Sequence, residues 1–435
     1  MQGLRVRALL AVLALVACAP GNATTPATSR LPEAGSIRGT DPAPVTSPVT
    51  SPVTSPAPSP TERGRPTEGD PTRTPARSPG PERRPAQPPS IVLVLMDDFS
   101  MDLLPTLRSA ERMRREGASY THAFAVDSLC CVSRTSLLTG QYPRQTGVRT
   151  NVSGELPGTP FGGFPAYAAL GNADRSVNVA LQEAGYTTGF VGKFLNEYEY
   201  SAAAGVPPAM PGWTSFVPVF GSGYDQWDFW SGRLDADRDS LVVEHHPAPP
   251  ASAPAAEKDA AYAGSFIEEE ALRFIREHRD DAAPYFLEVA PYGPHSRVNA
   301  RGAYPDDPFF PPMFRDRRSP GSPMGDCGAV PCADLSVEQL PGYADDSTDN
   351  VPLTADGEPA GSWRGTPATT SARVLTAFRR DRARMAQSID RTVQRVLDAV
   401  GPDTYVVLTS DNGFHLGQNG LGAGKGTPYR ADVHV

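Results

Sequence analysis

The chain has 435 residues and a net charge of −9, with acidic and basic residues interspersed. It has no basic block with interleaved aromatics, which excludes nucleic acid as the expected partner. Eighteen of the 47 prolines fall within residues 19–89, where apolar residues are sparse, so only the region after about residue 90 can bury a core, and that is long enough for one large α/β domain.

Residues 1–18 read as a secretory signal. Arg5 and Arg7 form a positive start, and Ala8 to Ala17 an apolar run too short to span a bilayer. The run ends Leu15-Val16-Ala17-Cys18, which resembles a bacterial lipobox. That resemblance implies cleavage before Cys18, lipidation of its thiol, and attachment to the outer face of a membrane. An ordinary signal with an incidental cysteine is the alternative. Residues 19–89 are rich in Pro, Ser and Thr, with Ser-Pro-Val-Thr repeats at 47–55. Too few apolar residues are present to offset the entropy of ordering, so a disordered, semi-rigid linker is expected.

From residue 90 the pattern changes. Ile91 to Met96 reads as a strand buried on both faces, ending at Asp97-Asp98. Residues 101–116 and 176–184 read as helices. Tyr285 to Ala290 is a second buried strand, leading to Pro291-Tyr292-Gly293-Pro294-His295. Ala372 to Val400 is a long amphipathic helix, with Met385, Ile389, Val393, Val396, Leu397 and Val400 on one stripe and Arg and Asp opposite. Tyr405 to Leu408 is a third buried strand, delivering Ser410-Asp411-Asn412-Gly413. Strands alternating with helices predict a doubly wound, mostly parallel sheet, with ligands at the carboxyl ends of its strands. Residues 201–262 and 297–371 show weak periodicity and read as long loops. Asp432 to Val435 reads as a strand. Cys327 and Cys332 are a candidate pair in an oxidising exterior.

Residues 130–140 read Cys-Cys-Val-Ser-Arg-Thr-Ser-Leu-Leu-Thr-Gly. This stretch resembles the signature C-x-P-S-R-x-x-x-L-T-G of the type I sulfatases. A second stretch, Gly185-Tyr186-Thr187-Thr188-Gly189-Phe190-Val191-Gly192-Lys193, is similar to the other motif of that family. Lys193-Phe194-Leu195-Asn196-Glu197-Tyr198, Thr409 to Gln418 and Gly424 to Tyr429 look most like the N-acetylglucosamine-6-sulfatases and the heparan endosulfatases. The resemblance implies an alkaline-phosphatase-like fold over 90–435. Members of the family continue with a smaller C-terminal antiparallel region, so a C-terminally truncated catalytic domain is expected.

The same resemblance implies the chemistry. Cys130 would be oxidised by a formylglycine-generating enzyme to an aldehyde. One hydroxyl of its hydrate would attack sulfur and expel the alcohol. The other would collapse to regenerate the aldehyde and release sulfate. Val132 stands where the family has proline. Its β-branched side chain also favours extended backbone, so conversion of Cys130 is expected. Asp97, Asp98, Asp411 and Asn412, with the modified Cys130, would hold a divalent cation. Oxygen ligands suit Ca²⁺ or Mg²⁺, and the resemblance favours Ca²⁺. Taken alone, Asp97-Asp98 reads equally well as a helix cap. Lys193 and Lys425 would contact sulfate oxygens, and Arg134 would stabilise the hydrate. His295 would protonate the leaving oxygen, or serve only as a capped loop histidine. His415 stays secondary, and Ser133 and Thr135 are expected to bond at the helix start.

The expected function is sulfate-ester hydrolysis on a sulfated sugar, with 6-O-sulfated glucosamine units as the expected substrate class. The alternatives are a phosphonate or phosphate monoester hydrolase of the same superfamily, and a non-catalytic lipoprotein that binds sulfated glycans.

Overall fold

The computed structural model describes residues 88–435, apart from 157–158, 236, 238, 346–352, 355 and 359–369. The expected signal, Cys18 and nearly all of the expected linker lie outside the described residues. No helix among the described residues is long and apolar enough to cross a membrane.

Seven strands form the principal sheet. They are β1 (Ser90–Met96), β2 (Thr187–Lys193), β3 (Ser215–Val219), β4 (Phe229–Asp235), β5 (Ser240–His246), β6 (Tyr285–Ala290) and β7 (Thr404–Ser410). Their order is β5-β4-β3-β2-β6-β1-β7. The pairs β1–β6, β1–β7, β2–β6 and β2–β3 are parallel, whereas β4 joins β3 and β5 in antiparallel fashion.

Helices cover both faces, as the alternating pattern predicts. The main ones are α1 (Arg108–Glu116), α2 (Cys130–Thr139), α3 (Gly163–Ala169), α4 (Val177–Glu183), α5 (Ala263–His278) and α6 (Ala372–Ala399). Val92, Val94, Leu287 and Val289 point to one face, where α5 and α6 bring Ile267, Phe274, Ile389 and Val393. Ile91, Leu93, Phe190 and Phe286 point to the other, against Val132 and Leu138 of α2 and Tyr167 of α3. Period-two strands and 3.6-period helices thus share out one sheet between two cores.

Several expectations need correction. The helix over 101–116 is broken by Pro105 into a 3₁₀ turn, Met101–Thr106, and α1, with Leu107 extended between them. β7 is not buried on both faces. It pairs only with β1 among the described residues, and Tyr405 and Val407 stay exposed at 66% and 44%. The stretch 201–262 holds β3, β4 and β5 rather than a loop. Residues 430–433 are a helical turn, not a strand, and His434 makes only an isolated bridge to Phe124. The polar side of α6 is also covered. Arg382 is buried against Phe310 and Phe414, Arg384 bonds the Met324 carbonyl of the wrapping segment 297–345, and Asp390 accepts from the Ser109 amide of α1. Cys327 and Cys332 form a disulfide with a Cα–Cα separation of 5.2 Å.

Candidate active site

Parallel strands place their carboxyl ends together, and here three exits meet. Asp97 and Asp98 leave β1, residues 291–295 leave β6, and Asp411 and Asn412 leave β7. The backbone holds them close: the Asp97 amide donates to the Gly293 carbonyl at 3.2 Å, and the Asp411 amide to the Met96 carbonyl at 3.0 Å. Asp98 takes a left-handed φ of 59°, a conformation that aspartate tolerates better than most residues. Its amide donates to Asp411 Oδ1 at 3.1 Å, and Arg382 Nη2 donates to its carbonyl at 2.5 Å.

Helix α2 begins at Cys130, beside these exits. Ser133 and Thr135 do not cap it. Asn151 does, accepting from the Cys131 amide at 2.8 Å, while Asp127 accepts from the Leu129 amide. Cys130 Sγ lies 3.5 Å from Asp97 Oδ1 and 3.8 Å from Asp98 Oδ1, and Lys425 Nζ donates to it at 2.6 Å. Burial pushes the thiol well above its ordinary range despite Lys193 and Lys425. As a thiol it would stay protonated at neutral pH and be a weak nucleophile. Cys131 points instead into the apolar core, its thiol pushed up to about 12 by burial.

The cations are already engaged. Lys193 Nζ sits 2.8 Å from both oxygens of Asp97, and Lys425 Nζ also contacts Asp98 Oδ1. Arg134, one helical turn beyond Cys130, spans the floor. Its Nε donates to Asp411 Oδ2 and its Nη1 to the Lys193 carbonyl, both at 2.8 Å. Burial opposes ionisation of Asp97, but Lys193, His295, Arg134 and Lys425 hold its carboxyl well below the usual range. Asp98 is likewise lowered against burial by Lys425 and His295, whereas burial wins for Asp411 and raises it.

His295 Nε2 lies 3.5 Å from Asp98 Oδ2. Its Nδ1 is 2.7 Å from the Ser296 carbonyl, an acceptor that assigns the proton to Nδ1 and leaves Nε2 facing the cluster. Burial lowers its pKa, opposed by the two aspartates. His415 faces elsewhere. It pairs with buried Asp432, which also accepts from Thr427, so its place is structural.

Ligating atoms of Asp97, Asp98, Cys130 and His295 lie within 4.8 Å of one another. Asp411 offers its oxygens to Arg134 and to the Asp98 amide. Asn412 Nδ2 donates to Asp98 Oδ1 at 2.7 Å, yet its Oδ1 is buried without a hydrogen-bond partner. A buried orphan acceptor beside two ionised carboxylates is what a hard cation would satisfy, so the residues present fit such an ion. Sequence reading missed Tyr224, whose ring lies against His295, and Arg382 behind Asp98; no motif marks either. A cleft of about 620 Å³ between α5 and α6 shares no residue with this cluster, and its charges are paired, as in Arg391–Asp316 and Arg395–Glu268.

A further buried carboxyl, Glu288 of β6, shares a face with Phe286 and Ala290. Its Oε2 has no partner, and burial pushes it up to about 7 against the pull of Arg134. The folded chain thus keeps a proton that the unfolded chain releases near 4.5. The stability this group contributes is complete below about pH 4.5 and is lost as pH rises through about 7. Glu288→Gln is therefore expected to exceed the parent in stability at pH 8, by on the order of 3 kcal/mol, with the gain vanishing towards pH 4. Denaturant titrations at both pH values check this, and an equal gain at the two would show that Glu288 does not titrate so.

A sheet of this topology with an acid-, lysine- and cysteine-lined pit at its carboxyl edge is that of an alkaline-phosphatase-like ester hydrolase scaffold. The family profile described as Sulfatase matches residues 89–435, and the chain belongs to that family. It is 27% identical over 363 residues to the extracellular sulfatase SULF-1 homolog of Drosophila melanogaster, covering 80% of this chain and 27% of that protein. Human N-acetylglucosamine-6-sulfatase is 24% identical over 358 residues, covering 80% and 55%. The arylsulfatase of Chlamydomonas reinhardtii is 26% identical over 368 residues, covering 80% and 50%. The chain thus spans about half, or less, of these relatives' length. The crystal structure of yidJ from Bacteroides fragilis superposes with a TM-score of 0.53 at 18% identity, covering 81% of this chain and 68% of that one, which shows the shared fold.

Proposed function

We propose that this chain hydrolyses sulfate esters of sugars, with 6-O-sulfated glucosamine units as the substrate class, after oxidation of Cys130 to formylglycine. The observation that carries this reading is the setting of Cys130. It is buried at the meeting point of two carboxylates and a lysine, yet as a thiol it is too basic to act. An aldehyde hydrate there supplies an oxygen nucleophile and a route to releasing it. The sugar class rests on the resemblance to proteins named for N-acetylglucosamine 6-sulfate.

Asp97, Asp98 and Asn412, with residue 130, would hold a divalent cation, Ca²⁺ or Mg²⁺ by the chemistry of oxygen donors. Such an ion supplies Lewis-acid polarisation of a sulfate oxygen. The chain's own residues do the rest. Lys193 and Lys425 bring the positive charge that a sulfate group requires, and both already crowd the Cys130 side of the pit. With Nδ1–H held on the Ser296 carbonyl, His295 would carry a second proton at Nε2, as the imidazolium, for the leaving oxygen. Arg134 fixes Asp411 and the Lys193 main chain and so sets the spacing of the whole floor. Relatives named as extracellular, and the signal-like run at residues 1–18, support an activity outside the cell, with lipidated Cys18 as the anchor.

Mass spectrometry of the peptide containing Cys130, from protein made in its native host, tests the central point. The aldehyde is expected; finding only thiol in protein that turns over sulfate esters would overturn the proposal. A panel of glucosamine 6-sulfate, aryl sulfate and phenyl phosphonate separates the chemistries. Preferential phosphonate hydrolysis would transfer the chain to the monoester hydrolases.

A further inference from the structure

The 3₁₀ turn Gly221–Asp225 follows β3 and reaches the pit beside His295 and Lys193. Tyr224 within it is buried. Its ring centroid lies 4.5 Å from that of His295 and 4.6 Å from that of Tyr292, and Lys193 Nζ stands 4.9 Å from it. One ring therefore touches both the candidate proton donor and one candidate sulfate-binding lysine. The next residue acts on the same histidine through the main chain. Asp225 Oδ1 accepts from the amides of Val298 and Asn299 at 3.1 Å each, and Asn299 Nδ2 donates to Asp225 Oδ2. The histidine ring is walled on one side while the chain just after it is tethered.

The turn is itself held rigidly. A side chain at Gly223 would come within 2.6 Å of the Tyr292 ring and 2.7 Å of Val219 Cγ1. Tyr292 donates its hydroxyl proton to the Val219 carbonyl at 2.8 Å, joining the exits of β6 and β3. Gln226, just after the turn, has a left-handed φ of 69°, and the chain then returns as β4, antiparallel to β3.

We infer that Tyr224 and Asp225 are a positioning pair for sulfate-ester cleavage, setting His295 Nε2 and Lys193 Nζ at a fixed separation. This rests on the reading of His295 as the proton donor. The ring face attracts the Lys193 ammonium and blocks rotation of the imidazole, and Asp225 prevents the 296–299 segment from drifting. A displacement of about 1 Å at such a group can cost on the order of 100-fold in rate.

The signature lies in the leaving group. Loss of proton donation slows esters with basic leaving oxygens, such as sugar sulfates, and spares 4-nitrophenyl sulfate, whose phenolate departs unaided. Displacement of Lys193 alone would slow both alike. In the full-length protein, Tyr224→Leu and Asp225→Ala are expected to lower kcat on glucosamine 6-sulfate by on the order of 10- to 100-fold more than on 4-nitrophenyl sulfate. Tyr224→Phe keeps the ring and is expected to restore the parental ratio. A second readout needs no turnover: the His295 ring signal in a ¹H–¹³C spectrum at fixed pH, assigned by its loss in His295→Gln. Its ring-current shift should persist in Tyr224→Phe, vanish in Tyr224→Leu, and broaden in Asp225→Ala. A ratio unchanged in Tyr224→Leu, or a His295 signal that does not move, overturns the inference. If the parent cleaves no sulfate ester while the His295 signal behaves as described, the positioning stands and the sulfatase reading falls.

Discussion

Cys130→Ala is expected to abolish the proposed sulfate-ester turnover, by a factor on the order of 10⁴ to 10⁶, while leaving the protein folded. The expectation follows from where Cys130 sits. The lysines, carboxylates and histidine of the pit converge on its side chain, and none of them is itself a nucleophile of the kind required. Removing one buried sulfur costs about 1 kcal/mol of packing, too little to unfold the domain. Cys131→Ala is the matched control. That thiol lies in the apolar core beside Val132 and Leu138, so its loss should weaken stability to a similar degree and spare activity. Sulfate release and thermal unfolding, measured side by side for both variants, decide the matter. Turnover of Cys130→Ala within about tenfold of the parent would remove Cys130 from the mechanism.

Arg134→Ala is expected to lose both stability and activity. The guanidinium is 2% exposed, and its Nε and Nη1 bond Asp411 and the Lys193 carbonyl. Deleting it strands Asp411 as a buried, unpaired carboxylate whose pKa burial already raises. Breaking a buried pair in this way costs about 3–5 kcal/mol. Lysine does not rescue it, because a single ammonium cannot reproduce a fork that bonds in two directions. Denaturant titration of Arg134→Ala and Arg134→Lys measures the cost. A loss below about 1 kcal/mol in both would show that Asp411 is relaxed by other means.

The elements that sequence revealed share a local cause. β1 and β6 are continuous apolar runs because both of their faces are covered, and each ends abruptly in polar residues. The long stripe of α6 follows from the same logic. Where local pattern and packing part company, reading fails. β4 and β5 carry Arg233, Asp235, Glu244, His245 and His246 on a half-open antiparallel edge, so no apolar run marks them. Arg382 belongs to the polar side of an amphipathic helix, and the distant rings of Phe310 and Phe414 packed on it make it a buried donor to Asp98. In the pit, the motif residues were legible because they cluster in short stretches. Tyr224 was not, since its place arises from the meeting of two strand exits about seventy residues apart.

The pit is assembled from widely separated parts of the chain. Lys425, which donates to Cys130, comes 295 residues later, and Asn412 follows Asp98 by 314. At about 5–20 residues per second, a ribosome needs roughly 15–60 s to go from the one to the other. Throughout that interval Cys130 lacks the segment that closes over it. Once Lys425 arrives the cysteine is 1% exposed and locked at the start of a helix. The proposed maturation of this residue would therefore be a matter of timing: a modifying enzyme would have access to it for tens of seconds during synthesis, and little afterwards.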